Sequence, residues 1–247
     1  MSLNGKTAII TGGGRDIGRA CAVRLAQAGA AVAINYHSSA EGAEAAVAEI
    51  TGAGGKAFAM QGDMTQAEDV DALVDRAAAD FGSVDILVNN TGGLVARKRV
   101  EEMPLEHWHT VMNLNVTSSF LLVKSGLRYL KAGAIINIAS QAGRDGGGPG
   151  AVAYATSKGA VMSMTRGLAK ELGPEIRVNA LCPGMIDTDF HNVFTKPEVR
   201  KNVAGATPLK REGAPVDVAN LVCYLASDEA AFITGTNVDI NGGTLFS

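Results

Sequence analysis

The sequence predicts an α/β protein: one doubly wound, parallel sheet of about seven strands with helices on both faces. Three observations predict it. Short apolar runs alternate with amphipathic stretches along nearly the whole chain, the pattern of repeated strand–helix–strand units joined by right-handed crossovers. Residues expected just beyond the strands are small, polar or glycine, as a crevice at the carboxyl edge of such a sheet requires. The seven prolines, at 104, 149, 174, 183, 197, 208 and 215, all fall in expected loops or at helix starts, where a missing N–H costs little.

Residues 7–11 (TAIIT) are a short apolar run that stops at glycines, as a buried parallel strand would. Residues 17–29 read as a helix, with Ala20, Val23, Leu25 and Ala26 as its apolar stripe and Gly29 as its stop. The second strand is 31–36, a helix follows near 40–51, and 56–60 is the third strand. Residues 66–81 are helical up to Gly82, and 84–89 is the fourth strand. One long helix is expected from 105 to 131, closed by Gly133. Residues 134–139 form the fifth strand, a glycine-rich loop follows, and a new helix carries Tyr154 and Lys158. The sixth strand is 176–181, the stretch 185–212 is less periodic, 217–226 is helical and 238–240 ends the sheet. There is no internal repeat, low-complexity tract or linker, so a single domain over 1–247 is expected.

Composition narrows the function. At 47% hydrophobic and 19% charged the chain has ample core and is not disordered. A net charge of −3 with no basic cluster gives no electrostatic case for nucleic acid. Cys21, Cys182 and Cys223 are far apart, which suits buried small residues in a reducing compartment and not a disulfide framework or metal site. His107 and His109 are two apart and share no helical face. No apolar run reaches the ~20 residues of a membrane span, and no leader is visible, so a cytoplasmic protein is expected.

The chemistry concentrates in 134–158. The fifth strand delivers Ser140 to its end, and Tyr154 and Lys158, four apart, lie on one helical face. An ammonium beside a phenol favours the phenolate, so Tyr154 is expected to exchange protons below its free pKa of about 10. Ser140 can hydrogen-bond the same substrate oxygen, and the group suits carbonyl–alcohol interconversion. The bland alternative for Tyr-x-x-x-Lys alone is one aromatic and one solvated lysine.

The stretch from Thr11 to Gly18 follows a strand and opens a helix, so its N–H groups would cradle a pyrophosphate. Its glycines are one residue too widely spaced for the common G-x-G-x-x-G, and a plain tight turn is the alternative. An acid at the end of the second strand would bind the ribose 2′-hydroxyl of NAD. Here that stretch reads Asn35, Tyr36, His37, Ser38, Ser39, with Glu41 the first acid and Arg15 in the nearby turn. A 2′-phosphate would meet donors and a cation, so NADP is expected, with NAD possible.

These motifs, in this order, resemble the short-chain dehydrogenase/reductase family over essentially the full length. Thr11 to Gly18 is similar to the family's T-G-x-x-x-G-x-G, and the implied fold is Rossmann-type. The resemblance implies that Gly12, Gly14, Arg15, Asp16 and Ile17 hold the cofactor, with Asn35, His37 and Ser38 at the second strand's end. Asp63 matches the acid that contacts adenine, with Met64 beside it. Asn89, Asn90, Thr91 and Gly92 look like N-N-A-G, with threonine for alanine, and Pro183, Gly184, Ile186 and Thr188 match the segment at the nicotinamide end. Asn115, Ser140, Tyr154 and Lys158 match the catalytic set. By resemblance Tyr154 moves the hydroxyl proton, Lys158 lowers its pKa and holds the nicotinamide ribose, Ser140 polarises the carbonyl, and Asn115 holds a water. Hydride would pass between the nicotinamide and the substrate carbon.

Asp16 departs from the family pattern, which has glycine there. It is expected to be an N-cap turned away from the phosphates, with weaker cofactor binding than glycine would give. The C-terminal third looks most like 3-oxoacyl-(acyl-carrier-protein) reductases, and sugar and polyol dehydrogenases share much of it. The substrate is therefore expected to be a small or carrier-protein-bound carbonyl compound. Arg97, Lys98, Arg99, Arg128 and Lys131 could meet an acidic carrier, although Glu175 stands where a cation would help. Residues 185–212 are expected to form a substrate lid, and a homotetramer is the family expectation. A catalytically feeble sensor or scaffold of the same fold is the remaining alternative, with Asp16 its only support.

Overall fold

All four residues of β1 (Thr7–Ile10) are buried, because the strand lies at the centre of the sheet between β2 (Ala31–Tyr36) and β4 (Ile86–Asn89). The computed structural model describes residues 1–246. Seven strands form one parallel sheet in the order β3-β2-β1-β4-β5-β6-β7, with β3 Ala57–Gln61, β5 Gly133–Ile138, β6 Ile176–Pro183 and β7 Asn237–Ile240. Chain order reverses between β1 and β4, and that switch point opens a crevice at the strands' carboxyl ends.

Alternating side chains feed two cores, as the period of two in a strand requires. Ile10, Ile34, Val88 and Ile136 pack on one face against α1 (Asp16–Gln27), α2 (Ala40–Gly52) and α10 (Pro215–Ala226). Ile9, Ala33, Leu87 and Ile135 pack on the other, against α3 (Ala67–Phe81) and the helices that follow β4 and β5. Each fully buried aliphatic side chain contributes roughly 1.5–3 kcal/mol, so the sheet's centre is the stable part of the molecule.

The expected long helix after residue 105 is divided. It runs as α4 (Leu105–Met112), a π-turn (Asn113–Thr117) and α5 (Ser118–Gly126). The buried Asn115 amide bonds the Val111 and Gly93 carbonyls, and the wider π spacing accommodates it. Gly133 does not close that helix. It opens β5 with φ 150, where a Cβ would lie 2.0 Å from the Asp85 carbonyl oxygen. The glycine-rich loop holds a short helix, α6 (Ala142–Asp145), before α7 (Val152–Leu172). The weakly periodic stretch contains α8 (Asp189–Phe194) and α9 (Pro197–Ala206), neither with a buried residue, which is why no apolar stripe announced them. Pro183 ends β6 instead of lying in a loop. Its missing N–H breaks no ladder bond there, and its carbonyl accepts from Gln141 N–H at 2.9 Å.

A buried polar chain locks α7 to the sheet. Asn89 Nδ2 donates to Asn137 Oδ1, and Asn137 Nδ2 donates to Thr165 Oγ1, both at 2.8 Å. Thr165 then donates to the Val161 carbonyl within α7. Every member is satisfied, so the chain rigidifies β4, β5 and α7 as a unit.

Candidate active site

The glycine turn is braced from β4. Thr11 Oγ1 accepts the N–H groups of Asn90 and Thr91 at 3.1 and 3.0 Å. Asn90 Nδ2 donates to the carbonyls of Thr11 and Gly12, both at 3.0 Å. Gly12 takes φ 62, and a Cβ on Gly18 would lie 2.2 Å from the Gly12 carbonyl oxygen, so both glycines are sterically required. Asn35 does not face the cleft. It is buried, its Oδ1 accepts Gly12 N–H at 3.1 Å and its Nδ2 donates to Gly62 O at 3.0 Å, so it shapes the turn from behind.

From this turn a cleft of about 990 Å3 runs along the strand ends. Gly12, Gly14, Arg15, Asp16 and Ile17 line one end, facing His37 and Ser38. Asp63 and Met64 form the adjoining wall. Asp63 Oδ1 is occupied by the N–H and hydroxyl of Thr65 at 2.9 and 2.8 Å. Asn90, Thr91 and Gly92 line the middle, and Pro183, Gly184, Ile186 and Thr188 the opposite side. No carboxylate at the end of β2 lines the cleft.

Ser140, Tyr154 and Lys158 meet at the far end. The Ser140 hydroxyl accepts Ala142 N–H at 3.1 Å and stands near enough to Tyr154 to favour its phenolate. The buried Lys158 Nζ donates to the Ile138 carbonyl at 2.7 Å and lies 5.8 Å from the centre of the Tyr154 ring. The expected acidification of the phenol is absent here. Burial pushes Tyr154 above its usual range and the Ser140 hydrogen bond opposes this only in part. Burial also lowers Lys158 to about 8, with the Cys182 thiol opposing. Desolvation of each charged form dominates, and the ammonium is aimed at the Ile138 carbonyl and not at the phenol.

Asn115 is fully buried and is not on the cleft wall. Its Oδ1 accepts Gly93 N–H at 2.9 Å, and its Nδ2 donates to the carbonyls of Gly93 and Val111 at 2.9 and 2.8 Å. The side chain of Asn115, the residue expected to hold a water, is engaged in fixing the loop at Gly93. A Cβ on Gly92 would lie 2.5 Å from Asn115 Oδ1 and 3.0 Å from Lys158 Nζ, so the three groups are in close contact.

Asp16 is not an N-cap. Arg15 occupies that position, extended at φ −157, and Asp16 is the first residue of α1 at φ 49. This is the left-handed region, which explains glycine in the family pattern. Burial pushes its carboxyl above the usual range.

Motif reading missed the apolar half of the cleft. Phe190, Phe194, Leu94 and Val95 line it. Phe190 packs on Tyr154 at 5.7 Å and on Phe194 at 5.2 Å between ring centres. The spacing of four between the two phenylalanines was the available signal. Val95 is held at φ 64, with Ala96 N–H donating to Leu94 O at 2.8 Å, a γ-turn strained for a β-branched residue.

A family model described as enoyl-(acyl carrier protein) reductase matches residues 12–244. A short-chain dehydrogenase/reductase structure from Serratia marcescens superposes with TM-score 0.93 at 37% identity, covering 98% of this chain and 99% of that one. The chain belongs to the short-chain dehydrogenase/reductase family. Among curated relatives, the 3-oxoacyl-(acyl-carrier-protein) reductase of Staphylococcus aureus is 37% identical over 96% of this chain and 97% of its own length. Glucose 1-dehydrogenase 2 of Bacillus subtilis is 38% identical over 98% of this chain and 96% of its own. Two further structures, both at TM-score 0.93 and 36% identity, are a 7α-hydroxysteroid dehydrogenase with NADH and a metagenomic blue fluorescent protein with NADPH. The first covers 98% of this chain and 95% of that one, the second 100% of both. The protein is thus an NAD(P)-dependent oxidoreductase acting on CH–OH and C=O groups.

The residues present fit a nicotinamide dinucleotide. The cleft is continuous from His37 to Tyr154, and a glycine turn at the start of α1 opens on it, the kind of helix start that accepts a pyrophosphate. Among the described residues no helix is long and apolar enough to cross a membrane, and no cluster of His, Cys, Asp or Glu could hold a metal.

Proposed function

We propose that the protein interconverts a ketone and a secondary alcohol with NADP(H), and that its substrate is a 3-oxoacyl-type carbonyl compound. The observation that carries this is the convergence of Ser140, Tyr154 and Lys158 on one end of the cleft, against Phe190, with the Lys158 ammonium held by the Ile138 carbonyl. When bound, the nicotinamide supplies or accepts the hydride. Tyr154 gives the carbonyl oxygen its proton, or takes it back in the reverse direction. Ser140 orients that oxygen through its hydroxyl, which lines the cleft beside Tyr154. Lys158 braces the site from below through the Ile138 carbonyl, with protons left for a ribose hydroxyl. Asn115 acts by fixing the 92–93 loop.

His37 and Ser38 at the end of β2, where no acid lines the cleft, with Arg15 in the facing turn, support NADP over NAD. Phe190, Val193, Phe194 and Val199 support an acyl or other apolar body over a sugar, which would leave its hydroxyls without partners there. A carrier protein has less to hold than the sequence suggested. Arg128 is engaged by Asp71 and Asp75 at 3.1 and 2.8 Å, and Arg99 by Glu101. An untethered thioester or ketone is the reading these pairs favour. Residues 185–212 form the lid. Exposed Leu105, Phe120 and Val152 on α4, α5 and α7 support a homotetramer, and three free buried cysteines support a cytoplasmic setting.

The test is a 340-nm assay of ketoacyl thioesters, simple ketones and sugars with both cofactors, alongside Tyr154→Phe. NADPH oxidation with the apolar ketones, lost in Tyr154→Phe while cofactor still binds, is expected. Turnover of Tyr154→Phe within about tenfold of the native enzyme, or ~1.4 kcal/mol of barrier, overturns the assignment of the acid.

A further inference from the structure

Asp16 belongs to two parts of the molecule at once. It lines the cleft in the glycine turn, and its carboxylate meets the lid. Asp16 Oδ1 accepts the N–H of Asp189, the first residue of α8, at 3.3 Å. That N–H lies at the open end of a helix and has no partner within it. Arg15 adds a second strand to the contact, its Nη1 lying 3.5 Å from Asp189 Oδ2. The next residue in the chain is Phe190, whose ring packs on Tyr154. One carboxylate therefore connects the turn that would hold the pyrophosphate with the aromatic ring that covers the proton donor.

The other ties of the lid lead elsewhere. Arg200 on α9 binds Asp187, Asn192 and Glu212, which closes the lid's base on itself. Asp187 N–H donates to Gly213 O at 2.8 Å, next to an Ile186–Gly213 bridge. Arg97 joins Phe194 O to Pro149 O, at the end of α8 remote from the turn. A six-residue helix with no buried residue cannot order itself in water, so its start depends on what anchors it. The left-handed backbone at Asp16, where glycine would be relaxed, is the cost of placing an acceptor there.

We propose that Asp16 is a positioning residue: its carboxylate anchors the first residue of the lid helix to the cofactor turn, so that filling the turn and seating Phe190 beside Tyr154 are one linked event. Linkage makes this reciprocal: whatever orders the turn orders the lid, and a closed lid favours cofactor. The proposal rests on the cofactor and lid assignments above, and its test is independent of the substrate.

Three variants separate the tether from backbone strain. Asp16→Gly relaxes the φ and removes the acceptor. Asp16→Asn keeps an acceptor oxygen and tolerates the left-handed region. Asp189→Pro keeps Asp16 and its backbone, and removes the donated N–H together with the Arg15 contact. Proline suits the first helical position, and Thr188 before it is already extended at φ −151, ψ 162. Amide exchange is measured over 190–196 with and without saturating NADPH, with cofactor affinity from fluorescence titration. In the native protein and Asp16→Asn, NADPH is expected to slow exchange in this segment. In Asp16→Gly and Asp189→Pro that protection is expected to shrink by about five- to tenfold, as losing one charge-assisted hydrogen bond implies. By the same linkage Asp16→Gly loses the lid's contribution to NADPH binding, and it is also expected to show a raised KM for ketone.

Unchanged NADPH-dependent protection in Asp16→Gly refutes the tether, and so does a loss of protection in Asp16→Asn as large as in Asp16→Gly. If Asp16→Gly does not fold, Asp189→Pro decides alone, with native protection in it refuting the proposal. Failure of the ketone-reductase reading shows up separately, as absent turnover in a native enzyme whose lid still responds to NADPH.

Discussion

Asn115→Ala separates two roles for one residue. If the amide only held a water for proton transfer, its loss would slow turnover and leave the fold intact. The structure predicts otherwise. The side chain is completely buried and makes three hydrogen bonds, to Gly93 N–H, Gly93 O and Val111 O. Each such bond contributes about 1 kcal/mol net, and a backbone group left unpaired in the interior costs about 1–3 kcal/mol. Gly93 is half-buried, so water can replace part of what is lost there, whereas the Val111 carbonyl lies in the core. The balance is a destabilisation of about 3 kcal/mol. With a urea slope of about 3 kcal/mol/M, the unfolding midpoint should fall by about 1 M. The measurement is urea unfolding followed by circular dichroism, with native and variant at equal protein concentration so that assembly does not distort the comparison. The 91–93 loop should loosen as well, and cofactor affinity should weaken with turnover. A midpoint unchanged within about 0.2 M, with activity lost, would refute the structural role and restore the water-holding one.

Two further outcomes follow from the buried pair at the catalytic end. Burial holds the Tyr154 phenol above its usual value, so it keeps its proton through neutral pH and is ready to donate in ketone reduction. Alcohol oxidation needs that proton removed, so its initial rate should climb steadily from pH 7 to 10; a rate flat across that range contradicts the direction of the shift. Lys158, lowered by burial to about 8 from an ordinary value near 10.5, has the opposite linkage to stability. Between those pH values the unfolded chain binds more protons than the folded one, so folding stability rises with pH across that window. The cost of burying the ammonium is fully present below about pH 8. Lys158→Met should therefore be more stable than native at pH 7, by about 1–3 kcal/mol, and inactive. Thermal unfolding at pH 7 checks this, and a destabilised Lys158→Met would show that the Ile138 hydrogen bond outweighs desolvation.

The sheet was legible because its strands are buried on both faces and must be continuously apolar, as in 7–10, 31–36 and 134–138. The glycine turn was legible because sterics leave few alternatives at Gly12 and Gly18. Spacing placed Tyr154 and Lys158 on one face but could not show where the ammonium points. Its direction is set by the Ile138 carbonyl, twenty residues earlier, and so the expected effect on the phenol failed. Asn35 read as a cleft residue because polar side chains at strand ends usually face ligand, and Asn115 because it matches the family's helix asparagine. Both are instead consumed by backbone groups, which only coordinates reveal. Asp16 misled for a related reason: a helix start suggests a cap, but the turn demands a left-handed backbone one residue later than capping does.

The site divides into a stiff half and a loosely held half, and that division governs what can be read from a sequence of this family. On the stiff side, Asn89, Asn137 and Thr165 tie β4, β5 and α7 through buried, fully paired amides and hydroxyls, and the strand ends with their cofactor-facing residues follow from that packing. Few sequences satisfy such a network, so its residues carry a recognisable pattern. On the other side, α8 and α9 bury nothing and are held by Arg200, Arg97 and the Asp16 carboxylate. Many sequences satisfy that arrangement, and substitutions there change the cleft's lining at little cost to folding. Relatives at 37% and 38% identity accordingly carry names as different as a 3-oxoacyl reductase and a glucose dehydrogenase. Substrate choice should then transfer with the lid: grafting 189–206 between members ought to move specificity while leaving cofactor affinity in place, unless the residue at position 16 fails to meet the incoming helix.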